Sequence, residues 1–171
     1  QQKGGVQLKG GVGEVRRLED LFDGHAVTVT RKQLHHVGRW PKSLHLNYPN
    51  VFDQSRARTG GLILIHGGCT SVGCFAMTNP VMDEIHRLSI AAVESGQDHI
   101  PIHVFPFRMT TENWETHDRS PWKAFWVNLK EGYDLFERNK LPPRVSVCDG
   151  RYNFAPTASA NSSGPIDACD N

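Results

Sequence analysis

Leu62-Ile63-Leu64-Ile65-His66-Gly67-Gly68-Cys69-Thr70-Ser71-Val72-Gly73-Cys74-Phe75-Ala76-Met77 is the stretch on which the reading of this chain turns. Four consecutive branched apolar residues predict a buried strand, which runs directly into His66 and two glycines. Between His66 and Met77 the sequence then concentrates an imidazole, two thiols, two small hydroxyl residues and further glycine, a mixture that few core segments need. A thiol nucleophile requires a neighbouring base or positive charge to form thiolate near neutral pH. It also requires N–H donors for the oxyanion formed when it attacks a carbonyl. Glycines let backbone N–H groups approach a substrate closely, and a cysteine just ahead of a helix would gain from the helix dipole. His66 and Cys74 can supply the base and nucleophile, and the N–H groups around Gly73 and Cys74 the oxyanion site. Cys69 reads as a packing or regulatory thiol, and Ser71 equally as a turn-stabilising hydroxyl or a site residue.

Downstream, Asn79 as cap, Pro80 at the first position, Asp83 and Glu84 near the positive end and Gly96 as terminator predict a helix, with Val81, Ile85, Leu88 and Ala92 on one face. Residues 100–107 alternate like a strand, but Pro101 and Pro106 argue for an irregular or edge one. Ser120 and Pro121 open a second helix whose stripe of Trp122, Phe125, Trp126, Leu129, Tyr133 and Phe136 is core rather than a ligand platform. Residues 144–148 and 151–154 predict a short strand and turn. Upstream, Val27 to Thr30 predict a strand. Residues 1–24 form an atypical glycine-rich and charged segment in which Lys-Gly-Gly-Val occurs twice, too short a repeat to define an architecture. Beyond Phe154, residues 155–171 turn to Ala, Ser, Pro, Asn and Gly and read as a flexible tail.

At 171 residues the chain fits one domain able to bury a proper core. Nearly equal numbers of basic and acidic residues, net +1, leave no electrostatic footprint for nucleic acid or anionic lipid. No apolar run reaches the length of a membrane span, and Gln1-Gln2-Lys3-Gly4 lacks the pattern of a signal peptide. Four cysteines are too few for a disulfide scaffold, and their three possible pairings stay open. A zinc or interaction module using His66, Cys69 and Cys74 with His99 or His103 is an alternative of a different class, although Cys-x4-Cys lies outside the commonest spacing. His35, His36, His45, His86 and His117 show no ligand spacing and read as surface or packing residues.

The residues also carry a resemblance. Ile65-His66-Gly67 followed by Ser71-Val72-Gly73-Cys74 is similar to the L,D-transpeptidase (YkuD/ErfK) signature, in the short-spaced YafK-like branch with its His-Gly-x-Cys-x-Ser-x-Gly-Cys-x-Ala-Met segment. Leu46-Asn47-Tyr48-Pro49-Asn50, Arg58-Thr59-Gly60, His103 to Thr110, and Phe125-Trp126 with Leu129 to Asp134 extend the likeness over roughly residues 29–154. The resemblance implies a catalytic domain over 25–154, mainly β with flanking helices (α+β), an L,D-transpeptidase-like β-sandwich. The usual Pro-x-Gly-x-Tyr segment ahead of Gln33-Leu34 is absent, so the N-terminal part is expected to be truncated or altered. Val72 stands where the middle histidine of Ser-His-Gly-Cys is usual, and Ala76 where an arginine is frequent; Arg108 is the candidate replacement charge, binding a substrate carboxylate.

Further implied are a peptidoglycan stem peptide as substrate, a Cys74 thioester, His66 as base oriented by a carbonyl near Gly67, Ser71 hydrogen-bonded within the site, and no cofactor or metal. A wall-attached protein is a possible partner, and the bacterial envelope, on its periplasmic side, is the implied location. The competing reading within the family is a wall-binding domain without catalysis.

Overall fold

The computed structural model describes residues 24–35 and 38–169; the atypical segment 1–23 lies outside the described residues. Strand β1 (His25–Thr30) leads through a 3-10 turn to β2 (Ser43–His45), helix α1 (Val51–Ser55), β3 (Leu64–Gly67) and β4 (Phe75–Met77). Helix α2 (Asn79–Glu94), β5 (His99–Val104), helices α3 (Thr111–Thr116) and α4 (Lys123–Asn139), and strands β6 (Arg144–Cys148), β7 (Arg151–Ala155) and β8 (Asp167–Ala168) follow. The strands form three small sheets, β1-β5, β2-β3-β4 and β7-β6-β8. The class is α+β, with two helices of 16 and 17 residues against strands of six residues or fewer.

The first sheet explains how a proline is tolerated in a paired strand. Thr28 faces Pro101 across the antiparallel β1–β5 ladder. The Thr28 N–H donates instead to Asn47 Oδ1 at 2.7 Å, and the Asn47 N–H donates to the Thr28 carbonyl at 3.2 Å. The Thr28–Pro101 pair therefore needs no ladder bond from the proline, which has no N–H to give. The same contact joins β1 to the segment after β2, and Leu46 N–H donates to Ile63 carbonyl at 3.0 Å to prolong the β2–β3 pairing.

Two apolar clusters result. One gathers Val27, Val29, Leu34, Leu44, Leu46, Ile63, Ile65, Met82 and Val93 between the sheets and α2. The other is aromatic, built on Phe52, Trp126, Leu129 and Tyr152. Full burial of each aliphatic side chain contributes about 2 kcal/mol.

The periodicity reading of α2 needs correction. Its buried stripe is Met82, His86, Ser89 and Val93, while Val81 and Leu88 are 44% and 58% exposed. The stripe is rotated by one residue because His86 is accommodated inside, its Nε2 at 2.8 Å from the Leu34 carbonyl. Thr78, not Asn79, occupies the cap position, with Pro80 in the first turn. On α4 the expected stripe packs through Trp126 and Leu129, but Phe136 at its end is 40% exposed.

The expectation of a flexible tail also meets a different structure. Cys148 and Cys169 form a disulfide with Cα atoms 5.2 Å apart, one of the three open pairings. β8 pairs in parallel with β6, and Ser163 and Ile166 are buried. Composition alone did not weigh the covalent link, which with the pairing offsets the chain entropy of this segment.

Candidate active site

The β2-β3-β4 sheet positions the site. In its register Ser43 faces His66, and His66 faces Ala76. Side chains alternate along a strand, so Ile65, Phe75 and Met77 share the face toward the aliphatic cluster, which they join. His66 and Ala76 share the opposite face, and Cys74 lies in the bend just before β4. Sheet pairing thus sets the strand ends on either side of the 68–74 connection next to each other.

His66 is 0% exposed. Its Nδ1 lies 2.6 Å from the Gly67 carbonyl oxygen, a distance at which the imidazole donates from Nδ1–H. Nε2, the acceptor nitrogen of that tautomer, is buried without a hydrogen-bond partner among the described residues. A buried acceptor left unpaired costs stability. One imidazole face is covered by Trp40, with ring centroids 4.0 Å apart and planes inclined by 24°. Gly67 accepts this arrangement only narrowly, since a Cβ there would stand 2.6 Å from Asn79 Oδ1.

Cys74 is a half-buried free thiol, and Cys69 is a free and exposed one. The Ser71 hydroxyl binds both backbone groups of Cys74, accepting from its N–H at 2.8 Å and donating to its carbonyl at 2.6 Å. Gly73, with φ 90°, adopts the left-handed turn that this clamp requires and that side-chain-bearing residues avoid. Two expectations change here. The Cys74 N–H is committed to Ser71, so it is not the oxyanion donor. Cys74 also precedes the strand β4 rather than a helix, so no helix dipole acts on it directly; α2 begins five residues later, at Asn79.

A cleft of about 320 Å³ opens beside Gly67, lined by Arg39, Trp40, Pro41, Lys42, Asn79, Met82 and Asp83. Lys42 Nζ meets Asp83 Oδ1 at 2.8 Å across it. A second hollow of about 500 Å³ continues past Lys42 and Asp83 to Glu84, Arg87 and Ile90. Arg108 does not line either one. It is exposed between β5 and α3, and its carbonyl accepts from Asn113 Nδ2 at 2.9 Å, while its neighbour Met109 packs in the aromatic cluster. The structure links His66 to Gly67 and Ser71 to Cys74 by hydrogen bonds, with Gly73 in the turn between Ser71 and Cys74. No three His, Cys, Asp or Glu side chains among the described residues could hold a metal ion, which leaves the zinc reading without a ligand set. No helix among the described residues is long and apolar enough to cross a membrane.

Sequence reasoning missed Trp40 and Asn79 as parts of this site. Trp40 carried a usable signal, an aromatic between Arg39 and Pro41 in a segment with no apolar periodicity to absorb it.

Compared with known proteins, the chain matches no family profile. It is 40% identical over 147 residues, 85% of its length, to the protein named "Putative L,D-transpeptidase YafK" of Escherichia coli strain K12, and equally to its counterpart in Escherichia coli O157:H7. The likeness is to the YafK-like branch of the L,D-transpeptidases. The chain spans 60% of the length of those relatives.

Proposed function

We propose that this protein is a cysteine acyltransferase of the L,D-transpeptidase type, acting on peptidoglycan stem peptides in the bacterial envelope, on a domain resembling the L,D-transpeptidase β-sandwich. The observation that carries the reading is the buried His66, with Nδ1 committed to the Gly67 carbonyl and Nε2 unpaired among the described residues, one short loop before the free Cys74 thiol. The name borne by the Escherichia coli relatives supports the same class, and the Cys148–Cys169 disulfide is in keeping with an oxidising compartment such as the periplasm.

In this mechanism His66 Nε2 takes the Cys74 proton, and the thiolate attacks the carbonyl of the L-centre of the diamino acid at position three. The tetrahedral oxyanion collapses to a thioester as the C–N bond breaks, and the amine leaves with the proton from His66. His66 then deprotonates the acceptor, amine or water, and the thiol is regenerated. Oxyanion stabilisation falls to Gly73 N–H, because the Cys74 N–H serves Ser71. Ser71 is a positioning residue that fixes the backbone bearing the nucleophile. Arg108, exposed between β5 and α3, is the candidate for recognising a substrate carboxylate, and Arg39 on the wall of the cleft beside Gly67 is a second one.

The connection between His66 and Cys74 is a tight loop with Val72 75% exposed, so no long insertion walls the acceptor side. Water reaches an open thioester readily unless it is excluded and a bound amine is held in attack geometry. The preferred outcome is therefore hydrolysis at the diamino acid, such as release of an attached peptide or protein. Digestion of purified sacculi tests it. Released partners with unchanged crosslink content support hydrolysis, whereas new crosslinks without release return the protein to transpeptidation.

A further inference from the structure

We infer that Trp40 is a positioning residue for the proposed base, its indole fixing the plane of the His66 imidazole so that the Gly67 carbonyl can hold Nδ1–H and leave Nε2 for the thiol. The inference rests on the acyl-transfer reading only for its kinetic consequence; the geometry stands apart from it.

One hydrogen bond does not orient an imidazole, because the ring can still tilt about the axis through the bond. The stack removes that freedom. With centroids 4.0 Å apart and planes within 24°, the indole covers one face of His66 while Gly67 binds one edge. Together they leave the opposite edge, with Nε2, as the unpartnered part of the ring.

Trp40 is itself held as a support should be. Ser43, the strand partner of His66, donates from Oγ to the Trp40 carbonyl at 2.9 Å, which ties the indole's backbone to the strand beside the histidine. The Arg39 guanidinium lies 5.2 Å from the Trp40 ring centroid, and Lys42 is paired with Asp83 on α2. Gly68 lies beside the indole. Its φ of 103° is one that residues with side chains rarely adopt, and the indole Nε1 lies 3.7 Å from the place a Cβ would take, so the turn runs in contact with Trp40. An aromatic that only filled space would not need this alignment with a polar ring that carries an unsatisfied nitrogen.

The test compares Trp40→Phe, which keeps a flat ring, with Trp40→Leu, which keeps apolar bulk without one, in the full chain, after thermal melts confirm that both fold; Trp40→Met replaces Leu if that variant does not. Two readouts are taken. Nitrogen-15 spectra of the histidine side chains report the His66 tautomer, and single-turnover adduct formation with a muropeptide reports the rate of Cys74 acylation and its dependence on muropeptide concentration. The expected result is a single Nδ1–H tautomer and near wild-type rate for Phe. For Leu we expect a mixture of tautomers and an acylation rate lower by about tenfold or more, with half-saturation unchanged. Equal behaviour of Phe and Leu in the tautomer readout overturns the inference, whether both keep the wild-type state or both lose it. Absence of any adduct in the wild-type protein would instead count against the acyl-transfer reading, and the tautomer spectra would still decide the role of Trp40.

Discussion

His25 and His66 are both buried imidazoles on strands, 1% and 0% exposed, and they differ in what their nitrogens touch. His25 Nε2 lies 3.0 Å from Asp53 Oδ2, and its Nδ1 accepts from the Tyr152 hydroxyl, so neither nitrogen is spare. Burial pushes the Tyr152 phenol well above its usual pKa, which keeps it a donor. Asp53 is itself surrounded, by Asn50 N–H at 2.9 Å and Arg58 Nη1 at 3.4 Å. The aromatic cluster thus encloses a completed polar network, which rigidifies a core. At His66 the network stops one bond short, with Nε2 unpaired among the described residues. Burial does not separate a structural histidine from a reactive one; the unfilled valence does, and only where a partner in chemistry is near.

The comparison breaks most visibly in rate. His66→Ala should slow acylation of Cys74 by about 10²- to 10⁴-fold, the usual worth of a general base. His25→Ala, measured on whatever fraction is folded, should leave the rate of active molecules within a few-fold. Single-turnover adduct formation normalised to folded protein checks both, and equal losses would dissolve the distinction.

Stability should respond in the opposite sense. Asp53→Ala leaves His25 and Arg58 facing a void in the aromatic core and is expected to cost about 3–5 kcal/mol, more than His66→Ala, in urea unfolding. A smaller loss for Asp53→Ala than for His66→Ala would show that the polar network at His25 is not what holds that half together.

His103 sharpens the rule. Its Nε2 is also buried without a partner among the described residues, but it lies near Pro101, Pro143, Val145 and Ile166, with no thiol among the groups lining that small void. Burial lowers its pKa to about 4. The folded value lies below the unfolded one, so the unfolded chain binds the proton more readily. The neutral form's contribution is therefore full above pH ~6.5 and is lost as pH falls from there toward 4, up to about 3 kcal/mol. Urea midpoints between pH 7 and pH 4.5 should fall in the wild type and fall less in His103→Gln. Parallel pH slopes would remove His103 from the account.

The smallest effect is expected at Ser71. Losing its two bonds to the Cys74 backbone should cost about 1 kcal/mol of positioning, a several-fold slower acylation in Ser71→Ala with little change in melting temperature. A loss as large as that of His66→Ala would make Ser71 part of the chemistry.

The candidate site could be proposed from the sequence because its signals are local. An apolar strand ending in His66, glycines, and a thiol a short loop away can be read without knowing what packs against them. The long helices were legible as elements for the same reason, through caps and periodicity, yet the buried face of α2 was misplaced because tertiary packing puts His86 and Ser89 inside. The polar network at His25 could not be read, since its members come from β1, α1 and β7, and no short-range pattern links residues 25, 53 and 152. The ordered segment after Phe154 hid for a related reason. Its anchors, Cys169 on Cys148 and Ile166 in the aromatic cluster, are contacts at long range in a stretch whose composition reads as loop.

The central claim is that Cys74 is the nucleophile, and intact-mass analysis after incubation with purified muropeptides tests it most directly. The account predicts a mass increase equal to the acyl part of the stem peptide, mapped to Cys74, absent in Cys74→Ala and largely kept in Cys69→Ser. An adduct that survives Cys74→Ala and disappears with Cys69→Ser would contradict the assignment, and muropeptide binding with no covalent adduct in the wild-type protein would contradict the acyl-enzyme altogether.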